Sequence, residues 1–393
     1  MSVARGFTCR VSPGCLASVD TDVLDEWLDG RVAAGEFSGA ALVWRGGKSL
    51  FSYAGGLAHR GHRVPVTGST RFTVASVTKM VTATAALRLV EHGEVGLDQP
   101  LIEVLPVDQQ TAALTLHHLL SHTSGLPNYH DDEAVTWDSF LSCWDRLACQ
   151  RARRPADLLP LFRDLPAAAP PGERFSYADA NYILAGLVIE AVTGKPYAEA
   201  AAEEVLAPAG MEDSGFDQRD SDPPRLATGY LHEPNVPFAS WRANVFSGPA
   251  GGMPDGGLVT TTTDLARLVD ALLGGRLVSP ATFAAMTSAQ CGTESVNRYG
   301  YGLELGFAGG QLVVLGHNGL DPGVSAVVAH HLAAATTIVV LGNHDRGSWP
   351  VYLRLAADRG LTDPRVTRAQ FTTGRCGAAD RPPGDQGEQL ASS

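Results

Sequence analysis

Lysine is scarce in this chain of 393 residues: Lys48, Lys79 and Lys195 are the only three, and the other 27 of the 30 basic residues are arginine. A lysine inside an apolar stretch therefore calls for a chemical reason, since arginine supplies positive charge elsewhere and cannot give up its proton. Charge of any sign is sparse, at 18% against 44% hydrophobic residues, the balance of a globular protein. Basic runs are missing and the formal net charge is -12, which repels phosphate backbones and excludes nucleic acid as a partner. Six cysteines (Cys9, Cys15, Cys143, Cys149, Cys291, Cys376) include no Cys-x-x-Cys pair, so zinc and dithiol chemistry are not indicated; they read as free thiols of a reducing compartment.

No apolar stretch approaches the roughly 18 residues that span a bilayer; even Thr336 to Leu341 is short and ends in Gly-Asn. Met1 to Val19 carries Arg5, Arg10, Ser12 and Pro13 where a secretory signal has a continuous apolar core, so a cytoplasmic location is expected. Two catalytic signatures are absent as well. Without Gly-x-Ser-x-Gly there is no α/β-hydrolase nucleophile elbow, and without Gly-x-x-x-x-Gly-Lys there is no phosphate-binding loop.

Periodicity supplies the organisation. Val23, Leu24, Trp27, Leu28 and Val32 recur at helical spacing over residues 20 to 35. Apolar runs at Ser38 to Trp44 and Leu50 to Tyr53, split by Arg45-Gly46-Gly47-Lys48, predict a hairpin with a glycine turn. From Ser76 to about His92 the Ala/Leu-rich pattern predicts a helix beginning at or just after the serine. Helical patterns follow at Leu114 to His122, Asn181 to Thr193 and Thr263 to Leu273, the last with Thr263-Asp264 as its N-cap. Strands return at Tyr301 to Phe307, Gln311 to Leu315, Ser325 to Ala329 and Thr336 to Leu341, ahead of a last helix at Trp349 to Arg359. Late strands must pair with the early hairpin to bury their apolar faces. The fold class is therefore α+β: one antiparallel sheet from both chain ends, flanked by helices, with a large mainly helical insertion. Boundaries follow as a flexible N-terminus at 1–19, a catalytic domain at 20–361 (α/β part 20–75 and 291–361, helical part 76–290), and a tail from 362 to 393 whose composition predicts disorder.

Phe72-Thr-Val-Ala-Ser76-Val-Thr-Lys79 sets a hydroxyl and an amine one helical turn apart on the same side. Serine is a poor nucleophile at neutral pH, and acyl transfer needs a base to take its proton. Burial can lower a lysine pKa enough for an unprotonated Lys79 to be that base. Taken alone, Ser-x-x-Lys is a short and unspecific pattern.

Its surroundings make it specific. Phe72 to Lys79, followed by Leu87-Arg-Leu-Val-Glu-His-Gly93, Leu97-Asp98-Gln-Pro100 and Leu116-His-His-Leu-Leu-Ser-His122-Thr-Ser-Gly125-Leu-Pro127, resembles the class C-type β-lactamases and the penicillin-binding-protein-like esterases and peptidases related to them, over residues 24 to 345. That resemblance implies a β-lactamase/transpeptidase-like fold and a covalent acyl-Ser76 intermediate. By the same likeness Phe175-Ser-Tyr177-Ala-Asp179-Ala-Asn181 stands where the family carries Tyr-x-Asn, making Tyr177 a partner in the proton relay. Aspartate replaces the usual asparagine: Asp179 can hold Lys79, yet a carboxylate cannot donate to a substrate carbonyl, which disfavours amides and lactams. Gly316-His317-Asn318-Gly319-Leu320 is similar to the family's third motif, with His317 lining the site, Gly319 leaving room for substrate, and the N–H groups of Ser76 and Leu320 as the oxyanion hole. Pro249-Ala-Gly-Gly-Met and Gly256-Gly257 resemble a block under the site's floor.

The expectation is thus a serine hydrolase or acyltransferase on a small ester or acyl substrate, needing no cofactor. β-Lactamase, D-alanyl-D-alanine carboxypeptidase or D-aminopeptidase action is the alternative, with a small-molecule ester, acyl or lactam as partner in either case. A non-catalytic binding or assembly protein on the same fold is the competing class, but it has no need of Ser76, Lys79 and Tyr177 together. His118 and His122 fall four apart on a predicted helix near His117, His130, Asp131 and Asp132, which raises a metal site; Leu119, where a zinc hydrolase of this pattern needs glutamate, argues against it.

Overall fold

The computed structural model describes residues 21–106, 108, 110–130, 137–232, 241–290 and 297–365. Strands from both ends of the chain form one antiparallel sheet: β1 (Gly39–Arg45), β2 (Lys48–Gly55), β3 (Asn297–Tyr299), β4 (Glu304–Ala308), β5 (Gln311–Asp321), β6 (Val324–His331) and β7 (Thr336–Gly342), in the order β2-β1-β7-β6-β5-β4-β3. The hairpin turns on Gly46 and Gly47, with φ of 54° and 77°, as a two-residue loop of this hand requires. β1 then lies against β7, Ala40 facing Leu341 across the ladder.

Central strands are apolar on both faces, which is why they read as runs rather than alternations. On one face Ala41, Val43, Val327, Ile338 and Val340 pack against α1 (Thr21–Ala33), through Leu24 and Leu28, and against the last helix, α5 (Ser348–Ala357), through Val351, Tyr352 and Leu355. Ala40, Leu42, Val328, Val339 and Leu341 enter the larger core with α2 (Thr78–Glu91), α3 (Asp179–Thr193) and α4 (Thr262–Leu273). Each such Val or Leu contributes roughly 1.5–3 kcal/mol by leaving water. The helices α2, α3 and α4 belong to the expected insertion, so the α+β architecture is as expected from the pattern.

Four details differ from the sequence reading. The cap of α4 is Thr261, whose side chain accepts the Asp264 amide; Thr263 sits inside the first turn, and the Asp264 carboxylate instead accepts from Asp213 N and Ser214 Oγ. Helix α3 starts at Asp179 rather than Asn181. Its free amides find acceptors outside their own segment, Ala178 N donating to His122 Nδ1 (3.2 Å) and Asp179 N to Asn128 Oδ1 (3.1 Å). Strand β5 continues through Asp321, so the Gly316–Gly319 block lies within a strand. Ordered packing also passes residue 361: Arg365 is buried and ion-paired with Asp363, which accepts from Tyr352. The expectations for 1–19 and for 366–393 lie outside the described residues, as do Cys9, Cys15, Cys291 and Cys376; Cys143 and Cys149 are free thiols. No helix among the described residues is long and apolar enough to cross a membrane.

Candidate active site

Ser76 sits in a single 3-10 turn, Ala75–Val77, that feeds directly into α2. The turn is strained: Ala75 adopts φ 47°, a left-handed conformation that costs a non-glycine residue about 1–2 kcal/mol. Three contacts keep it there. Val74 N donates to Leu258 O, Leu258 N donates to Thr78 Oγ1, and β5 passes so close that a β-carbon on Gly319 would stand 2.1 Å from Val74 O.

One turn on, α2 is buried on nearly all sides, which leaves Lys79 0% exposed with its amine facing back to Ser76. Lys79 Nζ donates to Ser76 Oγ (3.0 Å), Asp179 Oδ1 (2.6 Å) and Asp255 O (2.8 Å), so all three ammonium protons have acceptors. Tyr177 completes the group, its hydroxyl donating to Ser76 Oγ at 2.9 Å. Its ring stacks on His122, centroids 4.2 Å apart, in a cage shared with Tyr182 and Tyr299. His122 holds the cage in place by accepting from Ala178 N and the Asn181 amide at Nδ1; burial and the Lys79 charge keep its ring neutral.

The amine is not neutral in this resting arrangement, which corrects the expectation of an unprotonated lysine. Burial pulls its pKa down, but the Asp179 and Asp255 carboxylates outweigh burial and raise it above the ordinary value. Asp179 moves the opposite way for the same reason, held below the usual carboxylate range by Lys79 against its own burial. Ser76 Oγ thus receives two donated hydrogen bonds, and proton transfer has to precede attack.

Two residues of the third motif are placed otherwise than the resemblance implied. His317 is 1% exposed and does not line the cleft. Its Nδ1 donates to Asn318 O (2.6 Å) and its Nε2 meets the Tyr299 hydroxyl (2.9 Å), and burial holds its pKa down at about 3. Gly319 makes room for the protein's own nucleophile turn rather than for a substrate. Leu320, paired with Ser325 and half-buried, follows directly on that contact. The metal alternative also loses its geometry. The helix at Leu116–Leu120 stops before His122, which turns left-handed at φ 56°; His118 pairs with Thr115 instead, while Asp131 and Asp132 lie outside the described residues. Among the described residues no cluster could hold a metal ion.

Beside Ser76 and Asp179 opens a cleft of about 80 Å³. Tyr129, Trp144, Arg219, Asn244, Asp255 and Asp321 are among its lining residues. The loop carrying Asp255 is seated on two helices: Thr82 of α2 donates to Pro254 O, and a β-carbon on Gly186 of α3 would meet the Pro254 ring at 2.2 Å. Asp255 accepts from the Tyr129 hydroxyl, and burial with the Asp179 charge pushes its pKa up to about 6. Burial, Asp179 and Asp255 push Asp321 up to about 7. Sequence reasoning missed both. Pro254-Asp255-Gly256 and Asp321-Pro322-Gly323 read as ordinary turn chemistry, and only their convergence on one cleft marks them out.

An antiparallel sheet from both chain ends, with a helical insertion that holds a serine between a lysine and a tyrosine at an open cleft, defines a serine hydrolase of the β-lactamase and penicillin-binding-protein fold. The chain belongs to the Beta-lactamase family, which matches residues 24–362. It is 38% identical over 220 residues to esterase EstB of Burkholderia gladioli, covering 53% of this chain and 54% of that protein, so the chain spans about half the length of this relative. A penicillin-binding protein of Bacillus subtilis (strain 168) is 27% identical over 319 residues, 79% of this chain and 69% of that one. The crystal structure of a penicillin-binding protein from Bacillus halodurans superposes with a TM-score of 0.77 at 32% identity, covering 86% of this chain and 98% of that chain.

Proposed function

We propose that this enzyme hydrolyses small esters through a covalent acyl-Ser76 intermediate. The observation that carries the reading is the position of Ser76 Oγ, within hydrogen-bond reach of both Lys79 Nζ (3.0 Å) and the Tyr177 hydroxyl (2.9 Å) at an open cleft. Substrate entering the cleft displaces water and favours the uncharged form of the Lys79–Asp179 pair. The lysine proton crosses the 2.6 Å contact to Asp179. Lys79, now an amine, takes the Ser76 proton as Oγ bonds to the acyl carbon, and the Ser76 and Leu320 N–H groups receive the oxyanion. Collapse breaks the ester C–O bond, Tyr177 protonates the departing alkoxide, and Lys79 restores the tyrosine's proton. Water then attacks the acyl-enzyme by the reverse relay, giving the free acid and Ser76.

Esters are favoured over amides and lactams because Asp179 has no N–H to offer an amide carbonyl; the esterase among the relatives points the same way. A fluorescent serine-reactive phosphonate tests the nucleophile: labelling of the folded protein, abolished in Ser76→Ala, is expected. An unlabelled folded protein would favour the non-catalytic binding class. Turnover of p-nitrophenyl acetate against a chromogenic cephalosporin tests the substrate class, and faster cephalosporin turnover would reverse the order in favour of a β-lactamase.

A further inference from the structure

The ladder between β4 and β5 ends at Glu304–Gly316, while that between β5 and β6 runs on to Asp321–Val324. From His317 to Asp321, therefore, β5 is laddered to one neighbour only among the described residues. Gly319, in the middle of this stretch, carries the backbone contact with the nucleophile turn. A segment with half its ladder is held less firmly than the strand behind it, and one side-chain tether makes up the difference. Asn318 Nδ2 donates to Glu304 Oε1, so the first residue of β4 holds the residue next to Gly319. Burial pushes the Glu304 carboxyl up, and the Arg365 guanidinium pulls it back. The two side chains are 14% and 3% exposed, and Arg365 Nη1, buried without a hydrogen bond among the described residues, faces Glu304 Oε2 at 3.6 Å. Arg365 is delivered by a strap beyond residue 362, where the family match ends. Its backbone N–H, Nε and Nη2 all donate to Asp363 (2.9, 3.0 and 2.7 Å), which in turn accepts from Tyr352 of α5 (2.5 Å). A β-carbon on Gly306 of β4 would meet Pro364 Cγ at 3.0 Å and Arg365 Cγ at 3.1 Å. The strap is thus seated on the strand that carries Glu304 and tied to the last helix.

We propose that Glu304 is a positioning residue for acylation: through Asn318 it pins β5 against the Ser76 turn, and Arg365 on the C-terminal strap keeps it an anionic acceptor. Removing the acceptor frees Asn318, and with it Gly319 and Leu320, to shift relative to Val74 and Ser76. A charged acceptor makes a shorter and stronger hydrogen bond than a neutral one, and that difference is what the strap contributes. Neither Glu304 nor Arg365 lines the cleft, so the effect falls on the reacting geometry rather than on binding. The inference rests on the acyl-Ser76 reading proposed above.

The test follows saturation kinetics of labelling by the serine-reactive phosphonate in full-length variants. Glu304→Met removes the acceptor at nearly constant volume. Its maximal labelling rate should fall about tenfold, less than an ångström displacement costs, with the half-saturating concentration within about twofold of wild type. Glu304→Gln keeps an oxygen for Asn318, and its maximal rate should stay within about threefold of wild type. Arg365→Met, which leaves Glu304 in place without its counter-charge, should lose severalfold. Asn318→Ala removes the same hydrogen bond from its half-buried donor and should repeat the Glu304→Met result, which keeps the test decisive should Glu304→Met not fold. Wild-type maximal rates in Glu304→Met or Asn318→Ala overturn the proposal, as does an equal loss in Glu304→Gln and Glu304→Met, or a loss carried by the half-saturating concentration alone. A wild-type rate in Arg365→Met overturns the role of the strap. Failure of the hydrolase reading shows elsewhere, as a wild-type Ser76 that the phosphonate leaves unlabelled.

Discussion

Gly319 and Val74 are in backbone contact: a β-carbon on the glycine would stand 2.1 Å from the Val74 carbonyl oxygen and 3.2 Å from Ser76 N. Gly319→Ala must therefore push strand and nucleophile turn apart by about an ångström. A displacement of that size at a reacting atom costs on the order of 10²-fold in rate. The expected result is a folded variant with kcat/KM for p-nitrophenyl acetate reduced about that much, checked by steady-state kinetics beside a melting curve. Wild-type kinetics would show that the strand does not hold the turn.

Tyr177→Phe keeps the ring that stacks on His122 and removes only the hydroxyl donating to Ser76. Acylation should slow by about 10²–10⁴-fold, the usual worth of a positioned proton donor. The melting temperature should change little. Stopped-flow measurement of the acylation burst separates the two effects, and an undiminished burst would remove Tyr177 from the relay.

Asp179→Asn removes the carboxylate that does most to hold Lys79 above its ordinary pKa. Burial then dominates and the amine's pKa falls. In the proposed relay Asp179 takes the lysine proton, whereas the variant's amine must lose it to solvent, so the rising limb of kcat/KM against pH moves to higher pH than in the wild type, as a profile with p-nitrophenyl acetate would record. The new amide N–H should also raise turnover of a chromogenic cephalosporin relative to the ester. A limb that stays put or moves to lower pH argues against the transfer of the lysine proton to Asp179.

Asp321→Asn should stabilise the protein at neutral and alkaline pH. Its carboxyl titrates near 7 in the folded state against an ordinary value of 3.8, so the folded protein holds the proton more tightly than the unfolded chain. The resulting penalty is full above pH 7, shrinks between 7 and 4, and vanishes below. Thermal melts should show a gain on the order of 2 kcal/mol at pH 8 that fades toward pH 4. A gain that grows on acidification would mean the carboxyl is stabilised where it sits. Such a cost, tolerated beside a nucleophile, is the pattern of a residue kept for binding rather than for the fold.

The hydroxyl, the amine and the phenol were legible because each lies in a short local pattern: Ser76 and Lys79 one turn apart, Tyr177 two residues before a helix start. Strand and helix assignments were legible for the same reason, since the apolar periods of β1, β7 and α2 are uninterrupted. What could not be read is whatever depends on residues far apart. The charge on Lys79 is set by carboxylates 100 and 176 positions away in sequence, and a helical segment seen alone suggests only desolvation. His317 illustrates the same limit in reverse. Its motif pointed to the cleft, whereas its burial is decided by Tyr299 and Asn318.

Because β1 is laddered to β2 on one edge and to β7 on the other, its second edge has no partner until residues near 341 have been made. A ribosome releasing this chain must therefore expose the first hairpin's unmatched edge for almost the whole of synthesis, a long window for capture by chaperones or for misassociation. Truncation before Thr336 would remove a central strand rather than an appendage, and would leave the turn that carries Ser76 beside a sheet split in two.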